Sequence, residues 1–173
     1  MPAPRADKVD VEVLAAEGAV LERRFSLAEF PRLADVLAAP GGEATARFRF
    51  LTVAEGIPGC ELEVEAEASL RCERCLEIFD QGLESSTRLA FAAEESDEGR
   101  VPEDFEVVNV GPGRVSLAQL VEDELLLSLP VVALHGEGTP CAARGATDAT
   151  GAEAVVETET HRPFAGLKDL LKR

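Results

Sequence analysis

The sequence contains no tryptophan, no tyrosine and only eight phenylalanines among its 173 residues. Modules that read single-stranded nucleic acid stack bases on exposed aromatic side chains, so this scarcity argues against such a module. The hydrophobic core must instead be built from leucine, valine, alanine and the few phenylalanines. A chain of this length is long enough to bury one such core.

Basic side chains are also scarce, since 17 lysines and arginines stand against 33 carboxylates and the formal net charge is −16. Attraction to a phosphate backbone is therefore unfavourable for the molecule as a whole, and a basic protein is the better electrostatic partner. The sequence also lacks the glycine-rich loops with which nucleotide-binding families hold phosphate groups. We therefore predict no nucleotide site.

No apolar run approaches the roughly 18 to 20 residues that a membrane span requires. Residues 1–7 lack the apolar core of a signal peptide. These absences predict a cytoplasmic protein without membrane contact. Because the cytoplasm is reducing, the four cysteines are expected to be buried thiols, metal ligands or redox groups rather than disulfides.

The hydrophobic patterning predicts an α+β fold, with a mainly antiparallel sheet or a partly closed barrel and two or three packing helices. Its clearest feature is a long hairpin over residues 60–91, because apolar residues from Leu62 to Leu70 alternate with glutamates at the period of a half-buried strand. Cys60 falls on the apolar side of this strand and is expected in the core. Capping boxes predict helices from Ser26 to about Ala38 and from Leu117 to Leu129. Because Pro31 is unfavourable inside the first of these helices, a start one turn later is the alternative.

We interpret residues 1–173 as a single domain. Further short strands are predicted at 8–14 and 19–25, which form a hairpin, and at 43–54 and 105–110. Along the chain, the predicted parts are a β-rich part with one helix at 6–92, an acidic mobile loop at 93–104, a strand and helix closing the core at 105–135, a flexible loop at 136–160 and a short C-terminal helix at 161–173.

Two cysteines at the turn of the long hairpin have the Cys-x-x-Cys spacing that lets both thiolates reach one tetrahedral ion. His135 and Cys141 follow the second helix and supply a second pair, so that Cys72, Cys75, His135 and Cys141 form a candidate zinc site. Thiolates favour zinc over magnesium or calcium. The alternatives are reduced thiols beside a lone exposed histidine, or a thioredoxin-like redox pair, although the motif lies between strands rather than at a helix start.

Three consecutive carboxylates, Glu122, Asp123 and Glu124, lie in the second predicted helix. They would suit a metal-dependent nuclease only if they converged, but three consecutive helical positions spread over about 200°. We expect them to form a solvated helix face. Contact with an arginine of a partner is the alternative.

Arg71, Arg74 and Arg88 are expected to cluster near the thiol-bearing turn, where they either contact phosphate or balance neighbouring carboxylates. The glutamates from Glu61 to Glu67 are expected on the solvent face of their strand. Their alternative role is a docking surface for a strongly basic protein.

Several blocks of the sequence resemble one known family when they are taken together. They are Leu-Arg-Cys-Glu-Arg-Cys-Leu at 70–76, Leu-Val-Glu-Asp-Glu-Leu-Leu-Leu-Ser-Leu-Pro-Val-Val at 120–132, His135, Cys141 and Pro-Phe-Ala-Gly-Leu-Lys-Asp-Leu-Leu-Lys at 163–172. Over about residues 60–173 the chain resembles the bacterial large ribosomal RNA subunit accumulation protein family, YceD. Some members carry additional cysteines after the helix. This chain has only Cys141 there, so its zinc prediction rests on its own residues.

The resemblance implies a cytoplasmic, non-catalytic factor that supports accumulation or processing of large-subunit ribosomal RNA, or ribosome assembly. The implied partners are the large-subunit ribosomal RNA precursor or basic ribosomal proteins, and the charge of the chain favours the latter. Two alternatives are a metal-dependent ribonuclease acting on precursor RNA and a zinc-binding or redox module. Zinc is the candidate cofactor, and no catalytic residue is predicted.

Overall fold

A computed structural model describes residues 8–39, 41–93, 99–110, 114–136 and 141. Residues 94–98 of the predicted acidic loop, most of the predicted flexible loop and the whole predicted C-terminal helix lie outside the described residues. None of the described helices is both long and apolar enough to cross a membrane.

The described elements confirm the α+β class and form an open sheet rather than a barrel. In chain order they are β1 (Lys8–Val9), α1 (Val11–Glu17), β2 (Val20–Ser26), a 3-10 turn (Leu27–Glu29), α2 (Pro31–Ala34), β3 (Glu43–Thr52), a second 3-10 turn (Ala54–Gly56), β4 (Pro58–Arg71), β5 (Ile78–Ala92), β6 (Glu106–Asn109), β7 (Val115–Ser116) and α3 (Leu117–Ser128).

The main sheet has five strands in the order β2-β3-β4-β5-β6. The first four are antiparallel neighbours, whereas β6 runs parallel to β5. The short strands β1 and β7 pair separately. One face of the main sheet carries the core, because the apolar residues of β3, β4 and β5 alternate with charged ones. Helices α1 and α3 pack on strands of this sheet, and the buried side chains include Phe48, Leu62, Val64 and, as predicted, Cys60.

The predicted hairpin at 8–25 is wrong: its second strand forms as β2, but its first strand ends at Val9, pairs with β7 and is followed by helix α1. Asp10 caps this helix by accepting a hydrogen bond from the Val13 N–H at 3.2 Å, and Gly18 ends it with a φ of 61°. The segment Val-Glu-Val-Leu-Ala-Ala-Glu alternates like a strand at its start. It also places Val11 and Ala15 four residues apart, and both are buried.

The helix predicted from Ser26 to about Ala38 does not start at Ser26; it starts one turn later, which was the alternative that Pro31 indicated, and it ends at Ala34. The Ser26 N–H does donate to the Glu29 carboxylate at 3.3 Å, but only a 3-10 turn follows it. Phe30 adopts an extended conformation, which is the preference of a residue before proline, and α2 begins at Pro31.

The β4–β5 hairpin projects beyond the rest of the main sheet. Strand β3 ends its pairing with β4 at Ala66, whereas β4 and β5 continue to the pair Arg71 and Ile78. We call residues 67–82 the hairpin tip. Outside the main sheet, a bridge from Ala39 to Ser69 supports it. The Cys-x-x-Cys sequence of the predicted zinc site therefore lies at the end of the hairpin, beyond the last residue of β4 that pairs with β3.

Candidate metal centre

The turn of the hairpin tip is closed by two backbone hydrogen bonds. The Cys72 N–H donates to the Glu77 carbonyl at 2.9 Å, and the Leu76 N–H donates to the Cys72 carbonyl at 2.8 Å. Leu76 has a φ of 64°, which is the one left-handed conformation of a non-glycine residue in the described part of the chain. Despite this strain, the turn holds Cys72 and Cys75 on the same side of the hairpin.

The segment after α3 returns to this turn. The Glu73 N–H donates to the carbonyl of Ala133 at 2.9 Å, which ties the segment to the hairpin tip. The imidazole of His135 packs against the ring of Phe79 with 4.7 Å between centroids. Residues about 60 positions apart in sequence are thus brought to one place.

The four predicted metal ligands lie together. The Sγ atoms of Cys72, Cys75 and Cys141 and a ring nitrogen of His135 all lie within 4.8 Å of one another. Cys72 Sγ is 3.4 Å from Cys141 Sγ, and Cys75 Sγ is 3.5 Å from His135 Nδ1. Ligands around tetrahedral zinc stand about 3.6 to 3.8 Å apart, given the usual zinc–sulfur and zinc–nitrogen distances. We call these four residues the Cys/His cluster.

The environment of Cys72 favours its thiolate. Burial alone would raise the pKa of this thiol, but backbone N–H groups of Cys75, His135 and Arg74 point to its sulfur and lower the pKa to about 5. Burial, followed by the neighbouring sulfurs, raises the pKa of Cys141 to about 12. The Cys72 sulfur therefore favours the negatively charged form that binds a metal cation. N–H groups that donate to a ligating sulfur also fix its orientation.

The cluster is enclosed on one side. Cys72 and Cys141 are buried, while Cys75 and His135 are half-buried. The alternative of a lone exposed histidine is wrong, because His135 contacts both Cys75 and Phe79. Three sulfurs and one nitrogen complete a four-coordinate set, so the residues can hold a structural zinc ion without an open position for substrate.

The three carboxylates of α3 face different directions. Glu122 and Glu124 are buried, so the expected solvated face is wrong for both and fits only Asp123, whose side chain is 52% exposed. Glu122 binds Arg32 of α2, and Glu124 accepts a hydrogen bond from the Ser85 hydroxyl at 2.6 Å. Glu122 and Glu124, for which contact with an arginine of a partner was the alternative, thus bind residues of this same chain. Among the residues that the structure describes, the Cys/His cluster is the group of three or more such ligands that converges.

Comparison with known proteins supports the resemblance. The sequence profile of the large ribosomal RNA subunit accumulation protein YceD matches residues 60–171, which is more than half of the chain. The chain belongs to the YceD family. The large ribosomal RNA subunit accumulation protein YceD of Haemophilus influenzae is 34% identical over 74 residues, which is 42% of this chain and 42% of that protein. No solved structure matches this YceD family member.

The expected arginine cluster of this YceD family member is only partly formed. Arg71 lies at the hairpin tip, where its guanidinium donates to the Leu76 carbonyl at 3.0 Å, and Arg74 lies within the turn. Arg88 pairs with Glu61 at 3.6 Å and with Asp104 at 2.8 Å. The register places Arg88 ten residue pairs from the Arg71 and Ile78 pair beside the turn, which is roughly 33 Å. Arg88 therefore belongs to a different surface, because a strand of this length separates it from the turn.

Sequence reasoning missed Arg32 and Ser85, which hold the carboxylates of α3 in this YceD family member. Arg32 and Glu122 are 90 positions apart, and Ser85 and Glu124 are 39 positions apart. The only local signal is that Glu122 and Glu124 interrupt an apolar helix. That signal indicates an unusual environment but cannot identify the partner.

In the unchanged protein, Glu124 is expected to make the free energy of unfolding fall as pH rises. Replacing Glu124 with glutamine is expected to remove this fall. Burial raises the pKa of Glu124 above its ordinary 4.5; the Ser85 hydrogen bond lowers it, and Glu106 and Asp123 raise it further. The folded state thus binds more protons than the unfolded state above pH 4.5, so stability falls as pH rises from there through the folded-state pKa. Glutamine carries no titrating proton.

Urea unfolding of both proteins from about pH 4 to about pH 8 would measure this difference. Glu17→Gln, which removes an exposed carboxylate at the end of α1, is the matched control. If the Glu124→Gln profile ran parallel to that of the unchanged protein, the buried carboxyl would not titrate as described.

Proposed function

We propose that this protein is a non-catalytic factor that supports accumulation of large-subunit ribosomal RNA through contacts with basic ribosomal proteins on precursor particles. The match to the YceD profile over residues 60–171 carries the proposal. The name of the Haemophilus influenzae relative states that role for that protein. The net charge of −16 supports a basic protein, rather than bare RNA, as the contacting surface.

The exposed face of the main sheet supports this class of partner. We call it the outer sheet face, and it comprises the exposed positions of the antiparallel strands β2, β3, β4 and β5. Arg49 pairs with Glu61, and Arg47 pairs with Glu63 at 4.0 Å. Between these pairs and Arg71 at the end of β4, the exposed positions of β3, β4 and β5 are mostly acidic: Glu43, Glu65, Glu67, Asp80 and Glu84.

Two glutamates of the outer sheet face stand directly opposite each other. Glu65 of β4 pairs in register with Glu84 of β5, and both are exposed. Like charges in directly opposed cross-strand positions destabilise a sheet. With Glu63, Val64, Ser85 and Ser86, they line an open depression of about 380 Å³. A lysine or arginine of a partner would relieve this repulsion.

The change Glu84→Lys is expected to raise the stability of the free protein by up to about 1 kcal/mol, because it replaces a repulsive cross-strand pair with an attractive one. The same change is expected to weaken binding to ribosomal precursors. The matched control is Glu17→Lys, which alters net charge equally at the exposed end of α1. Urea unfolding measures the first effect, and co-sedimentation with precursor particles followed by cross-linking measures the second.

Loss of the protein from its host is expected to lower the ratio of large-subunit to small-subunit ribosomal RNA, and the Glu17→Lys variant should restore it better than Glu84→Lys. Undiminished co-sedimentation of Glu84→Lys would reject the outer sheet face. The basic-protein mechanism would be wrong if the purified protein bound ribosomal RNA directly with steep salt dependence, and charge reversal at Arg71 and Arg74 abolished that binding.

The proposal includes a structural zinc ion in the Cys/His cluster. The distances between the donor atoms and the soft character of three sulfurs support zinc rather than magnesium or calcium. Bound there, the ion would join the hairpin tip to the segment after α3. Its role is to hold the shape of the surface, since a set of four protein ligands leaves no position for substrate.

A further inference from the structure

The sulfur atoms of the Cys/His cluster differ in their surroundings. Cys72 and Cys141 are buried and their sulfurs are in contact at 3.4 Å. Cys75 is half-buried, and its sulfur lies 3.5 Å from His135 and 4.0 Å from the Glu77 carboxylate. A small oxidant therefore meets Cys75 first, whereas the closest pair of sulfurs lies behind it.

We propose that the Cys/His cluster is a site of peroxide oxidation that ends in a disulfide between the buried Cys72 and Cys141, with release of the metal and with Cys75 reduced. The release of metal rests on the proposed zinc site. The pairing of the sulfurs rests on the contact between Cys72 and Cys141. The proposal therefore names a modification and a form of regulation for this site.

The chemistry requires hydrogen peroxide and two thiolates. The Cys75 sulfur attacks one peroxide oxygen, a sulfur–oxygen bond forms, the oxygen–oxygen bond breaks, and hydroxide leaves and takes a proton. The Cys141 sulfur, within 4.8 Å, then attacks the Cys75 sulfur, which forms a disulfide and releases the oxygen as water after protonation. In balance, two thiolates, one peroxide and two protons give one disulfide and two waters.

Thiol–disulfide exchange then moves the bond to its final place. The Cys72 thiolate attacks the Cys141 sulfur, the bond between Cys72 and Cys141 forms, and Cys75 leaves as a thiolate. This last pair begins in contact at 3.4 Å, and closing it to a covalent bond requires the sulfurs to approach by about 1.4 Å. The disulfide would span 69 positions of sequence and keep the hairpin tip joined to the later segment.

The test uses the full chain, purified without an affinity tag. Its zinc content is measured first by mass spectrometry of the metal. Hydrogen peroxide is then added, released zinc is followed with a chromogenic chelator, and free thiols are alkylated before tryptic digestion without reductant. Trypsin cleaves after Arg71 and Arg74, so Cys72 and Cys75 fall in separate peptides.

We expect one zinc ion to be released per disulfide, the Cys72 peptide to be joined to the peptide that contains Cys141, and Cys75 to be alkylated. A final bond from Cys75 to either other cysteine, or oxidation beyond the sulfenic acid without a disulfide, would overturn the proposal. Protein that contains no zinc but forms the Cys72–Cys141 bond would reject the zinc site alone. Protein that holds zinc but forms no such bond would reject the oxidation alone.

Two variants separate the role of Cys75 from general exposure of the cluster. Cys75→Ser is expected to slow disulfide formation roughly tenfold, because the accessible thiolate is lost. Loss of a metal ligand by itself would act in the opposite direction, since free thiols oxidise faster than bound ones. Cys60→Ala, which changes a core cysteine outside the cluster, is expected to leave the rate unchanged. Equal rates in Cys75→Ser and the unchanged protein would remove Cys75 from the pathway.

Discussion

Replacing Cys72 with serine is expected to abolish stoichiometric zinc binding and to lower the free energy of unfolding by about 4 kcal/mol when free zinc is about a thousandfold above the dissociation constant. A metal that binds only the folded state adds its binding free energy to stability. The buried sulfur of Cys72 is central to the cluster, because it contacts Cys141 and receives three backbone N–H groups. Serine keeps the shape but cannot supply a thiolate.

Unfolding with and without a strong chelator isolates the metal contribution. The control is Cys60→Ala, which removes a sulfur from the core rather than from the cluster and should cost the same stability in both conditions. Cys72→Ser should be less stable than the unchanged protein only when zinc is present. If chelation left the unfolding curve of the unchanged protein in place, the cluster would not hold a stabilising metal.

Replacing Glu122 with alanine is expected to lower the free energy of unfolding by about 3 kcal/mol, because hydrogen bonds from a charged acceptor each contribute about 1.5 to 3 kcal/mol and are not additive. The Glu122 carboxylate accepts from the N–H groups of Arg32 at 2.7 Å and of Leu33 at 3.2 Å. These groups lie in the first turn of α2 and have no partner within that helix. The guanidinium of Arg32 adds two more donors, at 2.9 and 3.1 Å.

Asp123→Ala is a matched control, since Asp123 contacts the same guanidinium from the next position at 2.6 Å. Its side chain is 52% exposed, against 5% for Glu122. An exposed ion pair contributes less than about 1 kcal/mol. Urea unfolding with an unchanged dependence on denaturant would give both values. Equal losses in the two variants would mean that Glu122 acts through charge alone and does not anchor α2.

The sequence predicted the long hairpin and the Cys/His cluster for separate physical reasons. Alternation over β4 is a local signal, because one face is buried and the other is solvated. The four candidate metal ligands were predicted from the Cys-x-x-Cys spacing of Cys72 and Cys75 and from the second pair, His135 and Cys141, after the second helix. Their convergence depends on the return of the segment after α3, which composition cannot show.

Two of the wrong predictions share a cause, since helix α1 and the burial of Glu122 and Glu124 both depend on contacts between distant parts of the chain. Helix α1 forms because Val11 and Ala15 find a buried place against the main sheet, which overrides the strand-like alternation. Glu122 and Glu124 are buried because Arg32 and Ser85 reach them. Arg88 is near the hairpin turn in sequence terms, but the extended strand carries it away.

The separation of Cys72 from Cys141 also has a consequence during synthesis. The two contacting sulfurs are 69 positions apart, and a ribosome adds about 5 to 20 residues per second. The hairpin turn therefore leaves the ribosome roughly 3 to 14 seconds before Cys141 follows. During that interval Cys72 and Cys75 have been synthesised without Cys141, so the contact between the two sulfurs cannot yet form.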